Sequence, residues 1–181
     1  MGLFDLFFRR KSPTLPAPSV TQTERRRNPR RDAPKGTRVL IIDDSPTITA
    51  ALGKILRSAG YVTLGAADAE HGLDILRKNM PAIVFLDIVL PGMNGFSALR
   101  MIRRNPLTRD IPVIMMSGNE QATEQFFGTR IGADDFLKKP FSRFEVFSRI
   151  ERLLDDSLIP RRIVPKVPEP EETTPEQPNA R

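Results

Sequence analysis

Acidic side chains follow two of the apolar runs in this sequence, and their positions could support metal and phosphate chemistry. Asp43 and Asp44 come directly after "VLII", and Asp87 ends the run "AIVFLD". Carboxylates at the ends of buried runs are costly unless a cation meets them. A hard divalent ion such as Mg²⁺, which prefers oxygen ligands, would meet that need. Because Asp87 ends the most buried run, it is also the natural nucleophile for forming an acyl phosphate.

Groups that suit a phosphoryl group follow two later apolar runs. Ser117 ends "IPVIMMS", while Lys138 and Lys139 end "DDFLKK" just before Pro140. An ammonium group stabilises the charge on phosphoryl oxygens, and hydroxyl or backbone N–H groups can donate hydrogen bonds to them. The single histidine, His71, lies on a predicted helix, so a Ser/His/Asp hydrolase site is not indicated. No glycine-rich phosphate loop of the GxxxxGK type occurs either.

Short apolar runs alternate with amphipathic segments over most of the chain, which indicates an α/β fold. The runs predict five strands, at residues 38–43, 61–66, 82–87, 111–117 and 134–138. Helices are predicted between Ser45 and Gly60 and at residues 69–79, 95–105, 120–131 and 142–154. This alternation predicts a doubly wound, five-stranded parallel sheet with helices on both faces. The polar residues at the strand ends should then meet at one edge of the sheet.

The last predicted helix has an apolar stripe at helical spacing, which should face the core. The stripe contains Phe144, Phe147, Ile150, Leu153 and Leu154.

The charge of the chain is concentrated at its N-terminus. Residues 1–36 contain nine Lys or Arg and three acidic residues, which accounts for the whole net charge of +6. Residues 12–36 and 158–181 are rich in Pro and polar residues and are predicted to be disordered, so residues 37–157 form the predicted domain. Because the basic excess lies in an arm and not in the domain, nucleic-acid binding is disfavoured.

Two function classes are excluded by composition. The absence of cysteine rules out a disulfide framework, thiolate metal sites and thiol chemistry. No apolar run approaches the ~20 residues that a membrane-spanning helix requires.

Residues 1–11 form a predicted amphipathic segment whose role stays open among three alternatives. Its apolar residues fall on or beside one helical face and precede three basic residues: Leu3, Phe4, Leu6, Phe7 and Phe8. Such a segment could lie on an anionic membrane surface or enter the groove of a partner protein. The third alternative is that it is disordered or packs on the domain.

The strand-end motifs resemble those of the receiver domain of bacterial two-component response regulators, the flavodoxin-like or CheY-like fold. The resemblance rests on "IIDDS" (41–45), "FLDIVLPGMNG" (85–95), "MMSG" (115–118) and "DDFLKKPF" (134–141), and it covers residues 37–157. It extends to the small stand-alone regulators of chemotaxis-like and twitching-motility systems. The resemblance implies a phosphorylation-activated signalling switch.

The resemblance also assigns roles to the acidic residues. Asp87 is the expected phosphoacceptor, and its phosphoryl donor would be a histidine kinase or a phosphotransfer protein. Asp43, Asp44 and Asp87 are expected to hold Mg²⁺, with the backbone carbonyl of Val89 as a further ligand.

Phosphate-binding and switch roles are implied for other residues. Lys139, Ser117 and the backbone of Gly118 are expected to bind the phosphoryl group. The Lys139–Pro140 peptide bond is often cis in this family. Ser117 and Phe136 are the expected switch pair, in which Ser117 moves toward the phosphate and Phe136 turns inward behind it.

The expected output is protein–protein contact, because nothing after residue 157 can form a DNA-binding helix-turn-helix. The readout surface would be the fourth helix, the fifth strand and the fifth helix, and the downstream target is not indicated. The protein is expected to be a signalling receiver and not an enzyme, apart from its own phosphoryl transfer. Self-dephosphorylation should be slow, because the apolar side chain of Val89 would hinder an attacking water.

Two further expectations concern place and mechanism. The expected location is the cytoplasm. A peripheral contact with the inner membrane through residues 1–11 is left as an alternative. The alternative function, from a different class, is a phosphorylation-independent adaptor or scaffold that uses the receiver fold.

Overall fold

The computed structural model describes residues 30–128 and 132–162 of the chain. Five strands alternate with five helices in these residues. In chain order they are β1 (Arg38–Ile42), α1 (Pro46–Arg57), β2 (Val62–Ala66), α2 (Ala69–Asn79), β3 (Ile83–Asp87), α3 (Gly95–Arg104), β4 (Val113–Ser117), α4 (Glu120–Gly128), β5 (Asp135–Lys138) and α5 (Arg143–Arg152). All neighbouring strands pair in parallel, in the order β2-β1-β3-β4-β5. The predicted doubly wound α/β sheet is therefore confirmed.

The burial of each strand follows from its place in the sheet. Every residue of β3 and β4 is buried, because central strands of a parallel sheet carry helices on both faces. The edge strand β2 is partly open, and 47% of Val62 is exposed. The apolar side chains form two clusters, one against α2, α3 and α4 and the other against α1 and α5. The rigid central strands therefore carry their end residues to one edge.

Local caps start the helices near the predicted positions. The side chains of Ser45, Asp68 and Asn94 accept hydrogen bonds from the backbone of α1, α2 and α3. Ser142 and Glu145 form a reciprocal capping box at the start of α5. Helix α1 ends at Arg57, three residues before the predicted stop, and Gly60 takes a positive φ of 91° in the following turn. Residues 129–131 of the predicted fourth helix lie outside the described residues.

The predicted inward stripe of α5 is wrong at one position. Val146, Phe147 and Ile150 are buried, whereas 60% of Phe144 is exposed. At 3.6 residues per turn, Phe144 lies about 120° around the helix from the centre of the buried stripe. The core side of α5 therefore includes Val146 instead of Phe144.

Packing extends to residues on both sides of the predicted domain. The guanidinium of Arg30 lies 3.8 Å above the ring of Phe147, and Ala33 donates a backbone hydrogen bond to the Tyr61 hydroxyl at 3.2 Å. Arg31 donates to the carbonyl of Asp155, just after α5, at 2.9 Å. The segment before β1 is thus held against α5 and the residues that follow it.

The segment after α5 turns back onto the domain. Asp155 accepts hydrogen bonds from the backbone of Ser157 and Ile159, and Leu154 pairs with Pro160 in an antiparallel bridge. Arg161 donates its backbone N–H to the carbonyl of Leu153 at 2.7 Å.

Predictions for residues 1–29 and 163–181, which include the amphipathic segment and most of both tails, lie outside the described residues. No described helix is long and apolar enough to cross a membrane.

Candidate functional site

Three carboxylates meet at the carboxyl edge of the sheet. Asp43 directly follows β1, Asp44 comes next, and Asp87 ends the neighbouring strand β3. One carboxylate oxygen from each residue lies within 4.8 Å of the others. Asp43 and Asp87 are buried, while Asp44 is exposed. The structure thus brings together the acidic residues that the sequence places at separate strand ends.

Lys139 supplies the positive charge that faces these acids. Its Nζ atom lies 2.6 Å from Oδ2 of Asp43 and 2.9 Å from Oδ2 of Asp87. Its backbone N–H donates to the carbonyl of Ser117 at 2.8 Å, which fixes the loop after β5 beside the end of β4. The Lys139–Pro140 peptide bond is cis. Lys138, the neighbouring lysine, is exposed.

The site carries more negative than positive charge. Three carboxylates face one ammonium group, and burial raises the pKa of Asp87. The hydrogen bond and the charge of Lys139 oppose that rise, and the nearby charge of Asp43 adds to it. A buried surplus of carboxylate oxygens, with one carboxylate open to solvent, is a donor set that suits a hard divalent cation such as Mg²⁺.

Ser117 is held toward α4 by the residue that caps this helix. Its Oγ atom accepts a hydrogen bond from the backbone N–H of Asn119 at 3.0 Å and donates to the Asn119 carbonyl at 3.3 Å. The Asn119 side chain in turn accepts from the backbone of Ala122 at 3.1 Å. Sequence reasoning found Ser117 and missed Asn119, although an Asn directly before a predicted helix is a recognisable cap. Gly118, between them, is exposed.

Phe136 occupies an inward position in the core beside α4. Only 7% of its surface is exposed, and its ring centroid lies 4.8 Å from that of Phe126 and 5.5 Å from that of Phe127. Phe127 itself is 71% exposed, so it covers Phe136 from the solvent side. The two α4 aromatics were missed, because "FF" in a weakly periodic segment carries no signal for a partner on β5. The switch role of Phe136 stays a prediction.

The start of α3 packs closely against the backbone of Asp87 and Ile88 because residue 95 is glycine. Gly95 donates its backbone N–H to the carbonyl of Ile88 at 2.9 Å, and a Cβ atom at Gly95 would collide with the carbonyl oxygen of Asp87. The backbone N–H of Val89 acts to lower the pKa of Asp87, against the rise that burial causes, and the Val89 side chain is 53% exposed. Sequence reasoning missed Gly95, whose only signal was its place at the start of a helix after Asn94. The metal-ligand role of the Val89 carbonyl stays a prediction.

Comparison with known sequences identifies the family. Residues 39–151 match the response regulator receiver domain. The chain is 38% identical to protein PilH of Pseudomonas aeruginosa over 117 residues, which cover 65% of this chain and 97% of that protein. It is also 38% identical to the DNA-binding dual master transcriptional regulator RpaA of Synechocystis sp., again over 65% of this chain. The match spans only 48% of RpaA, about half the length of that relative.

Solved structures agree with this assignment. A putative response regulator from Chloroflexus aurantiacus has a TM-score of 0.60 and 35% identity, over 65% of this chain and 97% of that one. The chemotaxis response regulator CheY4 of Vibrio cholerae has a TM-score of 0.60 and 26% identity, over 65% and 98%. Because PilH and CheY4 are matched over nearly their whole lengths, the chain resembles stand-alone receivers. Receiver domains generally bind Mg²⁺ at an acidic cluster and receive phosphoryl groups from histidine kinases or phosphotransfer proteins. The chain therefore belongs to the response regulator receiver domain family, whose members act in phosphorylation-dependent two-component signalling.

Proposed function

We propose that Asp87 accepts a phosphoryl group from a phosphohistidine of a histidine kinase or phosphotransfer protein. A carboxylate oxygen of Asp87 forms the new P–O bond as the P–N bond of the donor breaks. The electron pair of the broken bond returns to the imidazole nitrogen. The observation that supports this proposal is the meeting of three carboxylates with one lysine ammonium at a single edge of the sheet.

The neighbouring residues would hold the transferred group. Lys139 lies 2.9 Å from the Asp87 carboxylate, close enough to pair with a phosphoryl oxygen bound there. Ser117 and the backbone N–H of Gly118 would donate to the remaining oxygens. For this, the Ser117 hydroxyl must leave its hydrogen bonds with Asn119.

The metal would be held by residues that the site already brings together. Asp43, Asp44 and Asp87, together with the carbonyl of Val89, would bind Mg²⁺. The ion would offset the negative charge of the carboxylates and of the phosphoryl oxygens.

Transfer from a small donor with a P–N bond tests the proposal directly. With Mg²⁺ and phosphoramidate, intact-mass spectrometry should show one phosphoryl group on the wild-type chain and none on Asp87→Asn. The matched control is Asp74→Asn, which removes an exposed carboxylate of α2 and should leave transfer unchanged. Equal labelling of wild type and Asp87→Asn would contradict the proposal, as would an unlabelled wild type.

The phosphorylated form should decay slowly. Val89 follows the phosphoacceptor by two residues, and its apolar side chain would hinder a water molecule that attacks the acyl phosphate. Loss of the label should therefore take minutes or longer in the purified protein, and Val89→Asn should shorten it. Decay within seconds would contradict this expectation.

A phosphorylation-independent adaptor is the second candidate, and the position of Phe136 favours it. The Phe136 side chain is buried against Phe126 and Phe127, where the switch would place it after phosphorylation. Hydrogen exchange of α4 and β5, measured with and without beryllofluoride and Mg²⁺, separates the two candidates. The switch predicts a change in protection near Asn119 and Phe136, whereas the adaptor predicts none.

The flanking segments extend the proposal. Residues 37–157 would form the receiver, located in the cytoplasm, and would signal by contact with a protein target. Residues 1–11 would attach the protein to the inner membrane or to a partner groove. Removal of residues 1–11 should then abolish any polar or membrane localisation of a tagged protein, and unchanged localisation would exclude both roles.

A further inference from the structure

A groove between α2 and α3 combines an apolar floor with a basic rim. Leu73, Leu76 and Ile102 are buried in its floor, and Met101 is 44% exposed. The remaining lining residues are Arg77, Arg104, Asn105 and Thr108. The groove is lined by the C-terminal halves of α2 and α3 and the loop after α3, and it includes none of the residues at the phosphoacceptor edge. An apolar floor with cations at the rim suits an extended acidic segment that bears a small apolar side chain.

The described chain ends close to this groove. The Nε atom of Arg162 lies 3.6 Å from Oδ1 of Asp134. Oδ2 of the same carboxylate accepts a hydrogen bond from Arg103 of α3 at 2.7 Å. The Asp134 carboxylate therefore bridges Arg162 and α3, the helix that forms one wall of the groove. Residues 163–181 begin at this point.

The sequence that follows Arg162 matches the groove in shape and charge. It reads "IVPKVPEPEE" over residues 163–172, with three glutamates and one lysine. Its three prolines favour an extended backbone, which loses less conformational entropy on docking than a flexible chain. Val167 is flanked by the prolines, and Glu169, Glu171 and Glu172 follow it.

The length of the segment is sufficient to reach the groove. Arg103 points toward Asp134, whereas Met101 and Arg104 line the groove, so the two sites lie on different sides of α3. A helix is about 10 Å wide with its side chains, which three or four extended residues can span at about 3.3 Å each. Val167, five residues after Arg162, can therefore lie over the apolar floor.

We propose that residues 163–172 dock in the α2–α3 groove of the same chain. Val167 contacts Met101, the exposed apolar side chain of the groove, and the glutamates that follow it pair with Arg104 and Arg77. Arg77 already forms an exposed ion pair with Asp74, so Arg104 is the main cationic partner. Because the tether is only a few residues long, the effective concentration of the segment at the groove is in the millimolar range, and weak contacts are sufficient.

Engineered cysteines test the docking in the full-length protein, which has no native cysteine. Met101→Cys with Val167→Cys should form an intramolecular disulfide under mild oxidation, because such a bond requires Cα atoms within about 7 Å. The control pair is Lys54→Cys with Val167→Cys, since Lys54 lies on α1 across the sheet. Asn105→Cys with Val167→Cys is a second pair, for use if Met101→Cys does not fold. Formation at the control rate would overturn the proposal. Disulfide-linked dimers would also overturn it, by showing that the groove takes the tail of a second copy.

A matched pair of charge reversals tests the ionic contact. Arg104→Glu should slow formation of the disulfide at least threefold, by about the strength of one exposed ion pair. Arg100→Glu changes an exposed arginine of α3 that does not line the groove, and it should leave the rate unchanged. Equal effects of the two reversals would show general electrostatics instead of docking, and would overturn the proposal.

Discussion

Two buried charge clusters lie at opposite edges of the same sheet, and they are balanced in different ways. At the carboxyl edge, three carboxylates share one ammonium group. At the amino edge, Asp134 lies between the guanidinium groups of Arg103 and Arg162. Arg103 also donates to the carbonyls of Gly132 and Ile111, each at 2.8 Å. The amino-edge cluster therefore has two guanidinium groups for one carboxylate, whereas the carboxyl-edge cluster has acids in excess.

This difference separates a structural cluster from a reactive one. The Arg103–Asp134 pair joins α3, β4 and the start of β5, since Asp134 also accepts from the backbone of Val113 at 2.8 Å. Burial lowers the pKa of Arg103 to about 10, against the opposing charge of Asp134, so Arg103 remains charged near neutral pH. The carboxyl-edge cluster is stabilised less by its own residues, and it can gain from a bound cation. Removal of a carboxylate should therefore change the free energy of unfolding in opposite directions at the two edges.

Loss of the amino-edge carboxylate should have the largest effect. Asp134→Ala leaves Arg103 buried without its charge partner, and we expect the free energy of unfolding to fall by about 3–5 kcal/mol. Urea denaturation measures the change. The control is Asp110→Ala, whose carboxylate is 75% exposed and should contribute less than about 0.5 kcal/mol. Equal losses for the two variants would contradict the structural role of the cluster.

A steric change at the carboxyl edge should rank next. Gly95→Ala introduces a Cβ atom that collides with the Asp87 carbonyl, so we expect a loss of about 1–3 kcal/mol and slower phosphorylation. In the matched variant, Gly118→Ala, the new Cβ atom would lie 3.5 Å from that of Lys139, an ordinary contact. Thermal melts and the phosphoramidate assay should show little change for it. A tolerated Gly95→Ala would mean that the loop can move away from Asp87.

Removal of the central acid should stabilise the protein. Asp87→Asn removes a buried carboxylate that lies near Asp43, and without divalent ions we expect about 1 kcal/mol of added stability. The exposed carboxylate of Asp44 is better solvated, so Asp44→Asn should give a smaller gain. Chemical denaturation in EDTA provides both values. A destabilised Asp87→Asn would show that the Lys139 ion pair outweighs the repulsion among the acids.

The smallest effect should appear in the turn that leads to Arg162. The pKa of Asp155 is lowered by hydrogen bonds that its carboxylate accepts from the backbone of Ile159, the side chain of Arg161 and the backbone of Ser157. Because the pKa is lowered, the hydrogen bonds to Asp155 stabilise the turn fully above the ordinary value of about 4. This stabilisation is lost as the pH falls through the folded-state pKa. The amide of Ile159 should therefore exchange faster, relative to its intrinsic rate, at low pH than at pH near 6. Asp155→Asn should remove this pH dependence, and its persistence would assign the effect to another group.

Local signals explain which parts of the fold and the site were predictable. Strand-end residues such as Asp43 and Asp87 follow apolar runs, and parallel topology requires these ends to meet at one edge. Features that depend on contact between distant segments left no local trace, as with Phe126 beside Phe136. The same holds for Arg103, which reads as an exposed helical residue until the fold places Asp134 beside it. Phe144 precedes Phe147 by three residues, so its spacing matched the predicted stripe, but its angle around α5 places it about 120° from the centre of the buried side.

The contact of Arg31 with the end of α5 has a consequence for how the protein can be attached. Helix α5 runs back from the edge that carries Lys139, so its last residues lie at the amino edge of the sheet. Arg31 and Arg162 both contact groups there, which means that the chain enters and leaves the domain at the same end. An anchor in either flanking segment would therefore attach the domain at the amino edge of its sheet. Asp87 would then face away from the attachment point, open to a kinase that approaches from the opposite side.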